Sequence, residues 1–154
     1  MREGNINFIG ASAVNNGVTA HIGNSEHLHP ANTITVSYNG SVGEAFYQLQ
    51  RFWASDDVNV LYPQFKMTKD IALFLLPIIR KVGKRYAFEN KWKLEEMEKE
   101  IIFLPCDLNG QPDYAYMTAF IQQMTGRLKQ STINLISKCD VSCANRFLQR
   151  SKDK

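Results

Sequence analysis

Two periods of apolar and polar positions divide this chain. From Asn5 to Ile9 polar and apolar residues take turns, as in a strand with one face buried, and Val18 to Ile22 suits a second strand. Between them Ser12-Ala13-Val14-Asn15-Asn16-Gly17 reads as a turn, and Gly23 to Asn32 reads as a surface loop. The stretch from Thr33 to Pro63 organises the rest. Its β-branched run Thr33-Ile34-Thr35-Val36 suits a pleated surface, and Tyr38-Asn39-Gly40-Ser41 supplies a hairpin reversal. Ala45-Phe46-Tyr47 resumes extended structure, Arg51-Phe52-Trp53 reads as an amphipathic loop, and Val58 to Tyr62 is a further strand closed by Pro63.

The period then lengthens. Thr68 is a good helix cap with Asp70 in the first turn, and the spacing predicts a helix from about Lys69 to Val82, apolar nearly all round, with a kink or break near Pro77 and Gly83 as its stop. Leu94, Met97 and Ile101 recur at helical spacing, Ile101 to Pro105 reads as a buried extended segment, and Asp107 to Gly110 turns the chain. A last helix is expected from Asp113 to about Thr125, stopping at Gly126; beyond it Ile133, Ile136, Asp140, Ala144, Phe147 and Leu148 form a weak stripe before a polar tail. The predicted class is α/β in the α+β sense: a twisted, mainly antiparallel sheet flanked by helices, with residues 1–125 as one domain and 126–154 as a helical segment and tail.

Composition narrows the function classes. A chain of 154 residues, 44% apolar and 21% charged, can bury a real core and is neither disordered nor fibrous. The net charge of +3 is only mildly basic, but Arg80 to Lys93 holds six basic residues and one acidic residue. Interleaved with Tyr86, Phe88 and Trp92, this cluster reads either as a phosphate-neutralising patch or as a solvated helix end favoured by the helix dipole. Three cysteines, no secretory signal and an apolar run from Ile71 to Ile79 too short to span a bilayer predict free thiols and a cytoplasmic location.

Catalytic signatures are weak. Asp56-Asp57 with His21 or His27 could suggest an acid/base or metal site, yet neighbours on a strand face opposite ways, and capping in the loop before Val58 is the simpler role. His27 and His29 lack partners at zinc-finger spacing, and Cys139 with Cys143 lacks a second pair. No nucleophile elbow, phosphate loop, dinucleotide fingerprint or amino-methyltransferase motif is present. No metal or cofactor is expected.

Taken in order, NNGV, TITVSYNGSVGEAFYQ, FWASDDVNVLYP, IALFLLPIIR, NKWKLEEMEKEIIFLP and NGQPDYAYM resemble the target recognition domain of specificity subunits of type I and related restriction-modification systems, from about Asn5 to Met124. The resemblance implies sequence-specific binding of double-stranded DNA by a non-catalytic subunit or half-subunit. Its partners would be a methyltransferase (modification) subunit and a restriction subunit, which would carry the catalysis and bind S-adenosylmethionine or ATP. Phosphate contacts would fall to Lys81, Lys84, Arg85, Lys91 and Lys93. Base edges need paired donors and acceptors, for which exposed turns offer Ser12, Asn15, Asn16, Tyr38, Asn39, Ser41 and Asn90. Typical subunits carry two such domains separated by long helical spacers. Here one domain without a leading segment or a long heptad pattern implies a half-subunit, able to pair as a homodimer, a truncated product or an isolated domain. The rival readings are a protein-interaction module docking through Phe52, Trp53 and Tyr114, a remnant without DNA-reading activity, and a small hydrolase using Asp56, Asp57 and His21.

Overall fold

The computed structural model describes residues 3–87 and 89–150, with residues 138–150 as backbone alone. Its strands form two three-stranded sheets rather than one. In the first, β1 (Glu3–Ile9) pairs antiparallel with β2 (Val18–Ile22) and parallel with β5 (Phe52–Ala54). In the second, β3 (Thr33–Ser37) lies between β4 (Ala45–Gln48) and β6 (Val58–Leu61), antiparallel to both. The α+β class and the mainly antiparallel pairing hold. Arg51-Phe52-Trp53 departs from expectation: Phe52 and Trp53 belong to a strand, which Asn7↔Phe52 and Phe8↔Trp53 pairing joins to the start of the chain. Three residues are too few for a period to show, and a parallel partner forty-five positions away leaves no local signal.

β3 is buried along its whole length, on both faces. Ile34 and Val36 join Ala45 and the buried face of α1 (Lys69–Gly83), namely Ile71, Ala72, Leu75, Leu76 and Ile79, with Trp92 and Met117 completing that core. The other face is polar and satisfied. Gln48 donates to the Thr35 hydroxyl at 3.0 Å and to the Asn16 carbonyl at 3.1 Å, and accepts from the Asn16 amide at 3.2 Å. A smaller core of Ile9, Phe52 and Val58 binds the two sheets together. Burying these side chains supplies the main stabilisation, roughly 1.5–3 kcal/mol for each large apolar group.

α1 begins where expected, with the Thr68 hydroxyl accepting from the Ile71 amide, and runs through Pro77 as one helix. The predicted break is absent; Pro77 stands on the exposed side. The amphipathic segment after Trp92 is shorter than its spacing suggested, a single turn α2 (Leu94–Met97). Ile101 to Phe103, expected to be buried, is exposed, Phe103 at 89%, and pairs with no strand. The last element, α3 (Tyr114–Arg150), passes straight through Gly126. Nothing lies within 4 Å of a Cβ placed there, so glycine costs some helix propensity but breaks no contact. At 37 residues α3 is about 55 Å long. Its first turns pack on α1, where Phe74 meets Phe120 edge-on and Gln122 donates to Asp70 at 3.0 Å. The polar tail lies outside the described residues, as do the side chains of Phe88, Cys139 and Cys143.

Candidate nucleic-acid interface

Two close backbone approaches bring together segments far apart in sequence. The loop between β3 and β4, residues 38–44, is longer than a two-residue hairpin and turns twice through left-handed glycines, Gly40 (φ 63°) and Gly43 (φ 82°). At one end, a Cβ on Gly40 would lie 3.0 Å from the Ala11 Cβ, in the turn that follows β1. At the other, a Cβ on Gly83 would lie 2.5 Å from the Gly43 Cα, at the C-terminal end of α1. The turn around Ser12, the 38–44 loop and the lysines Lys81 and Lys84 therefore form one continuous surface.

Hydrogen bonds decide which candidate side chains are available on it. Asn15 and Asn16 both adopt positive φ (51° and 54°) in the single 3-10 turn Asn15–Gly17. Asn15 donates to the Val18 carbonyl at 3.0 Å, and Asn16 donates to the Tyr47 carbonyl and to Gln48. Ser12 accepts from the Val14 amide at 3.2 Å. Asn39 donates to Asp57 Oδ1 at 2.6 Å, while the Tyr38 amide donates to the Asp57 carbonyl, so the loop is tied to the turn before β6. These three asparagines spend their amide donors within the fold. The side chains of Tyr38 and Ser41 are half-buried and make no hydrogen bond within the described chain.

Tyr38 lines a polar cleft of ≈ 340 Å³ with Asp56, Asn59, Lys93, Leu94 and Glu95. Lys93 is thereby placed beside the loop, although fifty-five positions separate it from Tyr38. A second cleft of ≈ 320 Å³, between the loop and α1, is lined by Val42, Gly43, Glu44, Pro77, Arg80, Lys81 and Lys84. Its acid is matched: Glu44 pairs with Arg80 at 3.4 Å. Arg80, unmarked by the sequence beyond its place in the basic run, donates to the Ala45 carbonyl and lies over the Phe46 ring at 5.0 Å.

The basic run divides into exposed and engaged members. Lys81, Lys84 and Lys93 are exposed cations. Arg85 instead pairs with Glu100 at 2.6 Å, and the other oxygen of Glu100 accepts from the Tyr86 hydroxyl at 2.6 Å. That hydroxyl and the Arg85 guanidinium hold the Glu100 carboxyl below its usual range, and the hydrogen bond to Glu100 pushes the Tyr86 phenol up. Tyr86 in turn stacks on the buried Trp92, ring centroids 5.3 Å apart. Asn90 is exposed on the loop between them, where its amide and carbonyl exchange backbone bonds with Ala87, and Lys91 is half-buried.

The remaining sequence candidates lie elsewhere. Phe52 is fully buried, Trp53 is half-buried and donates to the Glu26 carbonyl at 3.1 Å, and Tyr114 stacks on Phe65, so they do not form a docking surface. Exposed apolar surface is found instead around Ile101 and Phe103, beside Pro77 and Ile78. Asp57 is occupied by Asn39 rather than capping backbone with its carboxylate. His29 contacts the Tyr62 hydroxyl at 2.6 Å and stacks on Phe52, and burial pushes its imidazole down. Among the described residues no three His, Cys, Asp or Glu side chains gather as metal ligands, and no helix is long and apolar enough to cross a membrane.

Comparison with known proteins gives the family. The chain is 35% identical over 129 residues to the type II restriction enzyme specificity subunit S.BcgI of Heyndrickxia coagulans, an overlap of 83% of this chain and 38% of that protein. The S subunit of a type I restriction-modification system from M. genitalium aligns over 88% of this chain and 37% of its own, with 16% identity and a TM-score of 0.44. The chain thus spans well under half the length of either relative. Residues 2–137 match the family model described as the type I restriction modification DNA specificity domain, and with most of its length matched, the chain belongs to that family.

Proposed function

We propose that this chain reads a sequence in double-stranded DNA and directs partner subunits to it, without catalysis or a cofactor of its own. Residues 1–125 act as the recognition domain, and α3 beyond Gly126 is an arm for assembly. Phosphates are met by Lys81, Lys84 and Lys93, and bases by Tyr38 and Ser41 of the 38–44 loop, with Ser12, Asn90 and Lys91 at the margins. Asn15, Asn16 and Asn39 shape the turns, and Arg85 is held by Glu100. The carrying observation is the convergence of the Ser12 turn, the 38–44 loop and the lysine-bearing end of α1 on one surface. Cations alone would favour any duplex; donors and acceptors on a rigid loop beside them add discrimination. Asp56 and Glu95, lining the Tyr38 cleft, are suited to accept from exocyclic amino groups such as cytosine N4.

The partners in this reading are a methyltransferase subunit and a restriction subunit, and a second copy of the chain where two recognition domains are needed for a two-part site. In its support, α3 leaves Met124, Leu128 and Leu135 exposed, four and then seven positions apart, a row suited to another helix. The test is titration of the full chain with a random-sequence duplex at several salt concentrations. The logarithm of affinity should fall linearly with that of salt, and Lys81→Ala with Lys84→Ala should flatten the slope by about two. Equal affinity for duplex in all variants, or none in the parent protein, overturns the reading.

A further inference from the structure

We propose that Gly40 against Ala11 and Gly43 against Gly83 form a two-point clamp that positions the 38–44 loop for base reading, and that sequence discrimination by its side chains depends on the placement the clamp imposes. The inference rests on the DNA-reading function above. At Gly43 and Gly83 the approach is so close that a side-chain atom cannot be accommodated, whereas at Gly40 the Ala11 Cβ at 3.0 Å and carbonyl oxygen at 3.2 Å would have to give by a few tenths of an ångström. A Cβ on Gly43 would stand 2.7 Å from the Gly83 carbonyl carbon, and one on Gly83 would stand 2.5 Å from the Gly43 Cα and 2.9 Å from its oxygen. These are backbone atoms and cannot rotate aside. Gly83 is boxed in on its other flank by the Trp92 ring, 3.1 Å from the same Cβ position, and Trp92 belongs to the main core. The loop is therefore referenced to rigid elements, α1 and the core, at one end, and to the turn after β1 at the other.

Its internal bonds hold the shape between the two points. Gly43 donates to the Ser37 carbonyl at 2.8 Å, Ser37 to the Glu44 carbonyl at 2.9 Å, and Glu44 to the Ser41 carbonyl at 3.1 Å. A loop braced in this way moves as a unit, so a shift at Gly43 is carried to Tyr38 and Ser41. Hydrogen bonds to base edges tolerate errors of about 0.5 Å, whereas a lysine on a flexible stem follows a phosphate over a wider range. Displacing the loop by one methyl group should therefore remove discrimination while leaving general duplex affinity in place.

The experiment selects preferred duplexes from a random pool with the full-length protein and then measures the ratio of affinity for the selected duplex to that for a shuffled one. Gly83→Ala should lower this ratio by at least about tenfold, the loss of a single base contact, with shuffled-duplex affinity and salt slope unchanged. Ala11→Val, which presses on the loop from its other anchor, should act in the same direction. Gly126→Ala, set in open space on α3, should leave the ratio unaltered. A folded Gly83→Ala protein with the parental ratio overturns the clamp; should Gly83→Ala fail to fold, an unchanged ratio in Ala11→Val overturns it instead. If the parent protein selects no sequence, the DNA reading itself fails, and the clamp with it.

Discussion

Arg80 turns its guanidinium back onto the carbonyl of Ala45, with Nη2 at 2.6 Å and Nε at 3.1 Å, and so fastens α1 to the first residue of β4. The bond comes from a charged donor, and the side chain also covers Phe46 and pairs with Glu44. Removing it leaves the carbonyl without its donor. Arg80→Ala should therefore lower stability to urea by about 1–3 kcal/mol, whereas Lys81→Ala, exposed at the next position, should stay within about 0.5 kcal/mol. Equal midpoints for the two variants would show that Arg80 is only a surface charge.

Two neighbours in sequence, Lys84 and Arg85, should behave differently toward DNA. Lys84 is exposed at the cleft beside the loop, while Arg85 is paired with Glu100. A cation already matched releases few counterions when it meets a phosphate. Lys84→Ala should reduce the salt slope by about one, and Arg85→Ala should change it by much less. An equal drop for both would mean that the Glu100 pair opens on binding, and would restore Arg85 to the interface.

The strands β1, β2, β3, β4 and β6 and the cap of α1 were readable because each has a local cause: alternation, β-branched runs, or a threonine before an apolar stretch. Phe52 was misread for the opposite reason, since its strand exists through pairing with β1 and through a core shared by both sheets. Ile101 to Phe103 looked buried because it is apolar, yet composition cannot say whether a neighbour is there to cover it. At the candidate interface, residue types were visible but commitments were not. That Asn16 serves Gln48, that Asn39 serves Asp57 and that Arg85 serves Glu100 are contacts across 32, 18 and 15 positions. The role of Gly43 and Gly83 emerges only when the two backbones are placed side by side.

Asn39 and Asp57 give a direct measure of how firmly the loop is tied down. The amide-to-carboxylate bond is 2.6 Å long and partly buried, and a backbone bond from Tyr38 runs parallel to it. Asp57→Ala should cost about 1–3 kcal/mol by leaving the Asn39 amide unpaired. Replacing both residues with alanine should cost less than the sum of the two single changes. Strict additivity in urea unfolding would remove the coupling.

The Tyr86–Glu100–Arg85 group should make the segment around Trp92 sensitive to pH. The Tyr86 hydroxyl, and then Arg85, hold the Glu100 carboxyl below its ordinary 4.5, so its contribution is present above that value and is lost as pH falls through the lowered one. Tyr86 is raised above its ordinary 10.0, mainly by the same hydrogen bond, so its contribution is lost as pH rises beyond 10. In a Trp53→Phe background, Trp92 emission should be level between those limits and shift at both ends. Glu100→Gln should show the shifted emission already at neutral pH. A Glu100→Gln profile superimposable on that of its parent would sink this assignment.

Among the described residues, α3 is exposed from position 122 to 137, with Leu128 and Leu135 respectively 66% and 64% exposed and one heptad apart. Seven residues bring a helix back to nearly the same face, so with Met124 they form one apolar edge. Most helical stability in proteins comes from packing of an apolar face, and burial of such an edge against another helix would supply it. Leu128→Glu combined with Leu135→Glu should therefore abolish concentration-dependent association in sedimentation, at little cost to the unfolding transition of the two-sheet core. The same double variant should keep the salt slope for duplex DNA, because the lysines beside the loop are untouched. If the parent protein sediments as a monomer at every concentration, and the double variant binds the proposed methyltransferase subunit as well as the parent does, α3 is not the assembly surface.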